Sequence, residues 1–295
     1  MFTLKLSLGL LAFKLFIFTY EDGGSFVLAS PEASRRNLLK YAVTAVVAGV
    51  VAGVVAGVSG YDAGEAAGKT SLEELKSRIP PPAKIEEVSV DPTKTALIIV
   101  DMQNDFCCVG GKLGPTEKAG EEAIRAISLR IKSLKDTGKP KGMKIVYTQD
   151  YHYPDDPEFK IWGPHCVVEK VNGVDRPTWG QLEVSELTPD ADDPVIRKGG
   201  KTVSYDAFFA SYKPNELEKT LKGLGVDTCI VTGTVSNICV YCAVVGCAQR
   251  GYRTIVPVDG IVSLPFWPWT PAWSLFQWTT LYKVILTETG KIRFG

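Results

Sequence analysis

From Thr95 onward the chain alternates two kinds of segment, and this alternation restricts its fold more than any other feature. "TALIIVD" (95–101), "KIVYTQD" (144–150), "PVIRK" (194–198), "DTCIVTG" (227–233) and "RTIVPVD" (253–259) are β-branched runs of strand length, most of them closing on a polar or glycine residue. Between them Glu117–Thr137, Pro214–Gly223 and Ser236–Arg250 carry apolar residues at helical spacing. Regular alternation of strand and helix implies βαβ crossovers. The expected architecture is therefore α/β: a single three-layer domain with a mainly parallel, Rossmann-like sheet covered by helices on both faces. In such a sheet ligands sit beyond the carboxyl ends of the strands. Asp101, Asp150, Lys198 and the loop after Gly233 each fall at such an end, so four separated stretches should converge on one crevice.

Charge narrows the ligand. Of 295 residues, 33 are Lys or Arg and 33 are Asp or Glu, with both signs interspersed. No basic face advertises nucleic acid, and a small neutral or weakly charged ligand is expected. The amino-terminal part reads as a separate module. "SRRNLLK" (34–40) followed by the uncharged, Gly-rich run from Tyr41 to Tyr61 has the pattern of a twin-arginine export signal. The same run is about long enough to span a bilayer, with Gly49, Gly53 and Gly57 on one face, so a signal or membrane-anchor helix is expected over residues 1–69, and with it an exported or membrane-tethered protein. Residues 70–92, Pro-rich at "IPPPAK", read as a linker, and residues 93–295 as the catalytic domain.

Three strand ends carry a nucleophile's chemistry. Cys239 follows the turn after Gly233, where a helix begins, and a thiol at a helix amino terminus is expected to have a lowered pKa. The free amides of that turn would receive a developing oxyanion. Taken alone, Cys239 also reads as a buried structural thiol or as half of a redox pair with Cys242. Asp101 and Lys198 at neighbouring strand ends add a carboxylate to take the thiol proton and an ammonium to hold the charges. The chain's only histidines, His152 and His165, lie in one polar loop, and with Asp150 they form a borderline oxygen–nitrogen metal site.

Together "VDMQNDFC", "QDYHYPDDPEF", "WGPHCV", "IRKGGKTVSYDAFF" and "GTVSNICV" resemble the isochorismatase-like cysteine hydrolase superfamily, and most closely its nicotinamidases, over roughly Lys94 to Ile261. The resemblance implies an isochorismatase-like fold over residues 93–295 and a catalytic triad of Asp101, Lys198 and Cys239. It implies a cis peptide between Thr234 and Val235, with an oxyanion hole from the amides of Val235 and Cys239. It also implies a divalent ion, zinc, iron or manganese, on Asp150, His152 and His165, with Glu158 either a fourth ligand or a solvated loop residue. Phe106 and Trp162 would sandwich the substrate ring.

The reaction so implied is hydrolysis of a small carboxamide, nicotinamide to nicotinate and ammonia. Within the superfamily an N-carbamoyl-amine hydrolase is the alternative. From another class the alternative is a membrane-tethered thiol redox or metal-binding protein using Cys239, Cys242 and Cys247, in which the strand-end Asp and Lys have no purpose. Beyond the small-molecule substrate, a membrane tether and a homo-oligomer are the expected associations. The stretch "LPFWPWTPAWSLFQW" (264–278) departs from the family pattern and reads as a lid, an oligomer contact, a membrane-facing patch or a packing element.

Overall fold

A computed structural model of the chain describes residues 18–21, 25–28, 84–201, 203–213, 215–263 and 270–295. The chain divides into a unit over Met1–Ile79 and a unit over Pro80–Gly295. Of the first, an antiparallel hairpin pairs Phe18–Glu21 with Ser25–Leu28. The expected signal or anchor helix lies outside the described residues. Among those that are described, no helix is long and apolar enough to cross a membrane.

The second unit begins earlier than its sequence suggests. Val88–Val90, read above as linker, is a strand, β1. Its partner lies some two hundred residues away, which is why no local pattern announces it. After a 3-10 turn, β2 (Thr95–Val100) enters the core and leads to the short helix α1 (Asn104–Cys107) and the long α2 (Lys118–Gly138). β3 (Lys144–Asp150), α3 (Phe159–Trp162) and the surface hairpin β4 (Val168–Val171) and β5 (Val174–Pro177) follow. β6 (Val195–Lys198), α4 (Glu216–Gly223), β7 (Thr228–Thr234), α5 (Cys239–Gln249) and β8 (Arg253–Pro257) complete the expected alternation. The chain closes with β9 (Ile261–Val262), α6 (Thr270–Tyr282), β10 (Ile285–Thr287) and β11 (Ile292–Phe294), which pairs in parallel with β1.

The central sheet runs in the order β10-β8-β7-β2-β3-β6, with β9 paired to β7, and every pairing in it is parallel. β2 and β7 are buried at every position. That burial explains why their sequences are continuous apolar runs rather than alternating ones. One apolar layer packs α4, α5 and α6 on the sheet face carrying Ile98, Val146 and Val231. The other packs α2 on the face carrying Leu97, Ile99 and Ile230. The three-layer prediction holds. Of the Trp-rich stretch, residues 264–269 lie outside the described residues, while Trp278 is fully buried and stacks on Tyr241 of α5 at 6.0 Å between ring centres. Trp278 is thus a packing residue behind the helix that bears Cys239.

Candidate active site

Four adjacent strands, β7, β2, β3 and β6, deliver their carboxyl ends to one crevice. Asp101 follows β2 directly, Asp150 and Lys198 are the last residues of β3 and β6 and lie side by side in register, and Cys239 is the first residue of α5. Gly233 lets β7 come close at this edge. Its φ is +114°, and a Cβ there would stand 2.1 Å from the Val100 carbonyl oxygen. Asp101 itself takes a positive φ of 49°, a left-handed conformation that non-glycine residues adopt rarely and chiefly at functional sites.

All three members of the predicted triad are buried. The Lys198 ammonium lies 2.5 Å from Asp101 Oδ2 and 2.8 Å from Asp150 Oδ1. Thr148 donates to the other Asp101 oxygen at 2.7 Å. The Cys239 sulfur and carboxylate oxygens of Asp101 and Asp150 all lie within 4.8 Å of one another. Those three could formally hold a metal, but the Lys198 ammonium already bridges the two carboxylates. Burial alone would depress the lysine's pKa, yet Asp101 and Asp150 hold it well above its ordinary value. Burial raises Asp101, against the pull of Lys198.

For Cys239 the structure corrects the sequence reading. Burial pushes the thiol well above its ordinary pKa, and the opposing ammonium of Lys198 does not cancel it. A place at a helix start therefore does not by itself imply a resting thiolate, because removing the sulfur from water disfavours the anion more than the Lys198 ammonium favours it. The Thr234–Val235 peptide is cis. Ser236, Ile238 and Val240 donate their amides to Val262 and Val235 carbonyls, while those of Val235 and Cys239 have no backbone acceptor among the described residues.

Beside this group lies a second cluster. Asp150, His152, Glu158 and His165 are all buried, and one donor atom from each falls within 4.8 Å of the others. Glu158 is thus a buried member of the set, not a solvated loop residue. The outer nitrogens of both rings face oxygens. His165 Nδ1 is 2.8 Å from the Gly163 carbonyl and His152 Nδ1 is 3.0 Å from Asp156 Oδ2, which leaves each Nε2 on the Asp150 side, at 3.5 and 3.8 Å. Both ring nitrogens of His152 are buried and neither makes a hydrogen bond among the described residues, and of the two only Nε2 lies towards the cluster. Two imidazoles and two carboxylates with an orphaned inward nitrogen fit a borderline divalent cation. Burial opposes it, but Lys198 and the two imidazoles hold Asp150 well below the usual carboxylate range. For His152 burial is outweighed by Asp150 and Asp156, which raise it to about 9.

Both clusters open into one cavity of about 230 Å³, walled by Phe106, Leu113, Trp162, Tyr205 and Ile238. The structure thus brings together the residues expected to form the triad, the oxyanion site, the ring sandwich and the cation set. It adds others. Tyr205 faces the cavity and accepts a 2.7 Å bond from Trp162 Nε1. Gln103 clamps the end of β3, accepting from the Asp150 amide and donating to its carbonyl, both at 2.8 Å. Asp105 takes the amides of Lys112 and Cys166, tying the cavity rim to the residue after His165. All three lie inside motifs quoted above, but only their tertiary partners disclose what they do.

Comparison with known proteins agrees with this geometry. Ureidoacrylate amidohydrolase RutB of Caulobacter vibrioides is 28% identical over 174 residues, covering 54% of this chain and 72% of the relative. Nicotinamidase of Escherichia coli is 25% identical over 213 residues, covering 65% and 94%. The solved pyrazinamidase of Pyrococcus horikoshii in complex with zinc is 25% identical, with a TM-score of 0.54 over 66% of this chain and 99% of that one. The isochorismatase domain matches residues 95–285, which contain every residue of the two clusters. The chain belongs to the isochorismatase-like hydrolase superfamily and is an amidohydrolase of that family.

Proposed function

We propose that the protein hydrolyses a small aromatic carboxamide of the nicotinamide type, releasing the carboxylic acid and ammonia. One observation carries this reading: the two-histidine, two-carboxylate cluster opens into the same aromatic-walled cavity as Cys239. The carboxamide carbonyl would face Cys239 and its ring would lie between Phe106 and Trp162. Asp101 takes the thiol proton as sulfur attacks the carbonyl carbon, so the nucleophile is generated only with substrate present. Lys198 balances the negative charge shared by Asp101 and the sulfur. The amides of Val235 and Cys239 hold the oxyanion. As the tetrahedral adduct collapses, Asp101 returns the proton to the departing nitrogen, and ammonia leaves a thioester on Cys239. Asp101 then draws a proton from water attacking that thioester, and the acid is released with the thiol restored. Asp150, His152, Glu158 and His165 would hold zinc, iron or manganese. Such an ion, when bound, offers a positively charged anchoring point for a ring nitrogen.

Purified protein incubated with nicotinamide, ureidoacrylate and simple aliphatic amides tests the proposal through ammonia release and product mass. We expect nicotinamide to give the highest kcat/KM. A preference for ureidoacrylate, in line with the likeness to RutB, would establish the N-carbamoyl alternative instead. The paired Arg35 and Arg36 further support export or tethering outside the cytoplasmic membrane. Fractionation of the native cell should then find the protein outside the cytosol, and Arg35→Lys with Arg36→Lys should retain it inside.

A further inference from the structure

The loop that follows Lys198 is laced onto the segment that carries the cation set. Gly200 donates its amide to Asp156 Oδ2 at 2.7 Å, and the same oxygen faces His152 Nδ1 at 3.0 Å. Ser204 donates both its amide, at 2.8 Å, and its hydroxyl to Glu158 Oε2. Tyr205 accepts from Trp162 Nε1 at 2.7 Å. Positions 200, 204 and 205 thus meet positions 156, 158 and 162 in the same order along the chain. Each tie ends on a different working part: the residue behind a histidine, a carboxylate of the cation set and the aromatic wall.

The fit is built in at the loop's root. Gly199 has a φ of +141°, and a Cβ there would stand 2.3 Å from the Tyr151 carbonyl. Ser204 and Glu158 are buried, at 0% and 1% exposure, so their bonds face no competition from water. Because both Ser204 bonds fall on Oε2, the other Glu158 oxygen is left without a hydrogen bond among the described residues. Ser204 thus leaves Oε1 as the Glu158 oxygen with no hydrogen bond to compete with a cation.

We propose that Ser204 and Tyr205 are positioning residues that clasp Glu158 and Trp162 together, so that cation binding and the set of the aromatic wall are one linked event. Ser204 presets the carboxylate ligand, and Tyr205, the next residue, carries any adjustment to the Trp162 ring. By linkage, whatever orders one end must favour the other by the same free energy. The inference rests on the cation set of the proposed function, but not on the identity of the substrate.

Zinc alone, titrated into the full chain against a competing chelator, supplies the test, with the indole N–H resonance of Trp162 followed by NMR. Ser204→Ala should weaken zinc by about 10–100-fold, the usual cost of losing an outer-shell partner. Tyr205→Phe keeps the ring and its packing. It should weaken zinc by no more than the lost coupling, well short of the Ser204→Ala effect, while the indole resonance, which moves with zinc in the wild type, no longer follows it. Unchanged zinc affinity in Ser204→Ala, or a Trp162 signal that tracks zinc equally in Tyr205→Phe, overturns the clasp. His152→Ala separates the two levels of the argument. If it too binds zinc normally, the cation set itself is wrong.

Discussion

Cys239 combines a position that suits a nucleophile with a burial that disfavours its anion. Only 6% of the residue is exposed, and burial raises the thiol's pKa although Lys198 stands opposite. Free enzyme should accordingly be alkylated by iodoacetamide more slowly at pH 7 than a simple thiol, and speed up only above the ordinary thiol range. Cys239→Ala and Asp101→Asn should each lower kcat by about a thousandfold or more, since no neighbour can attack or shuttle the proton in their place, with melting temperature little changed in the first and lowered in the second, which leaves the buried Lys198 with one carboxylate fewer. Cys242, one turn further along α5, should tolerate Ala with kcat within about twofold. Comparable losses at both cysteines in ammonia-release assays would revive the redox reading, although all seven cysteines are free in the structure. Glu183 is another buried group with no local signature. Neither carboxylate oxygen has a partner among the described residues, and burial, reinforced by Asp101, raises its pKa well above the carboxylate range. A raised carboxylate pKa means that the folded state holds a proton the unfolded state gives up, so stability is lost as pH rises towards the folded value. Glu183→Gln removes that dependence. Its melting temperature should exceed the wild type's at pH 8, and the difference should shrink towards pH 4.

At the scale of elements, the strands that build the crevice were legible because each is a short apolar run ending on a polar or glycine residue. Thr95–Val100, Lys144–Asp150 and Thr228–Thr234 emerge within a residue of their expected ends. β1, β10 and β11 were not legible. Each has only three residues, and each is a strand by virtue of partners that sequence does not announce. Gly233 shows how an element is held to the site. Gly233→Ala would strain a left-handed backbone and press a methyl group on the Val100 carbonyl. We expect a loss of about 3 kcal/mol, read as a fall of roughly 6–12 °C in melting temperature. A change of less than about 2 °C in a thermal scan would mean that β7 and β2 can part at this edge without cost.

For the molecule as a whole, placing the proposed triad beside the proposed cation set would make pH a control on cation loading. In the cation-free protein burial works against the His152 proton, but Asp150 and Asp156 hold its pKa at about 9. A ligand imidazole must be neutral, so binding expels that proton, and affinity must fall as pH drops below 9. Zinc affinity should decline by about tenfold between pH 8 and pH 7, with close to one proton released per ion when calorimetry is repeated in buffers of different ionisation enthalpy. A pH-independent affinity over that range would place the cation elsewhere. The sequence by itself determined the α/β alternation, the strand ends that bear Asp101, Asp150 and Lys198, and the turn that bears Cys239, because each is written in the periodicity and punctuation of a few consecutive residues. Only the tertiary structure decided that Glu158 is buried beside Asp150, His152 and His165, that burial raises the pKa of the Cys239 thiol, and that Gln103, Asp105, Ser204 and Tyr205 hydrogen-bond to residues around the crevice. Burial and hydrogen-bond partnership are sums over segments as far apart as the 97 residues between Asp101 and Lys198, and no local window contains both sides of such a sum.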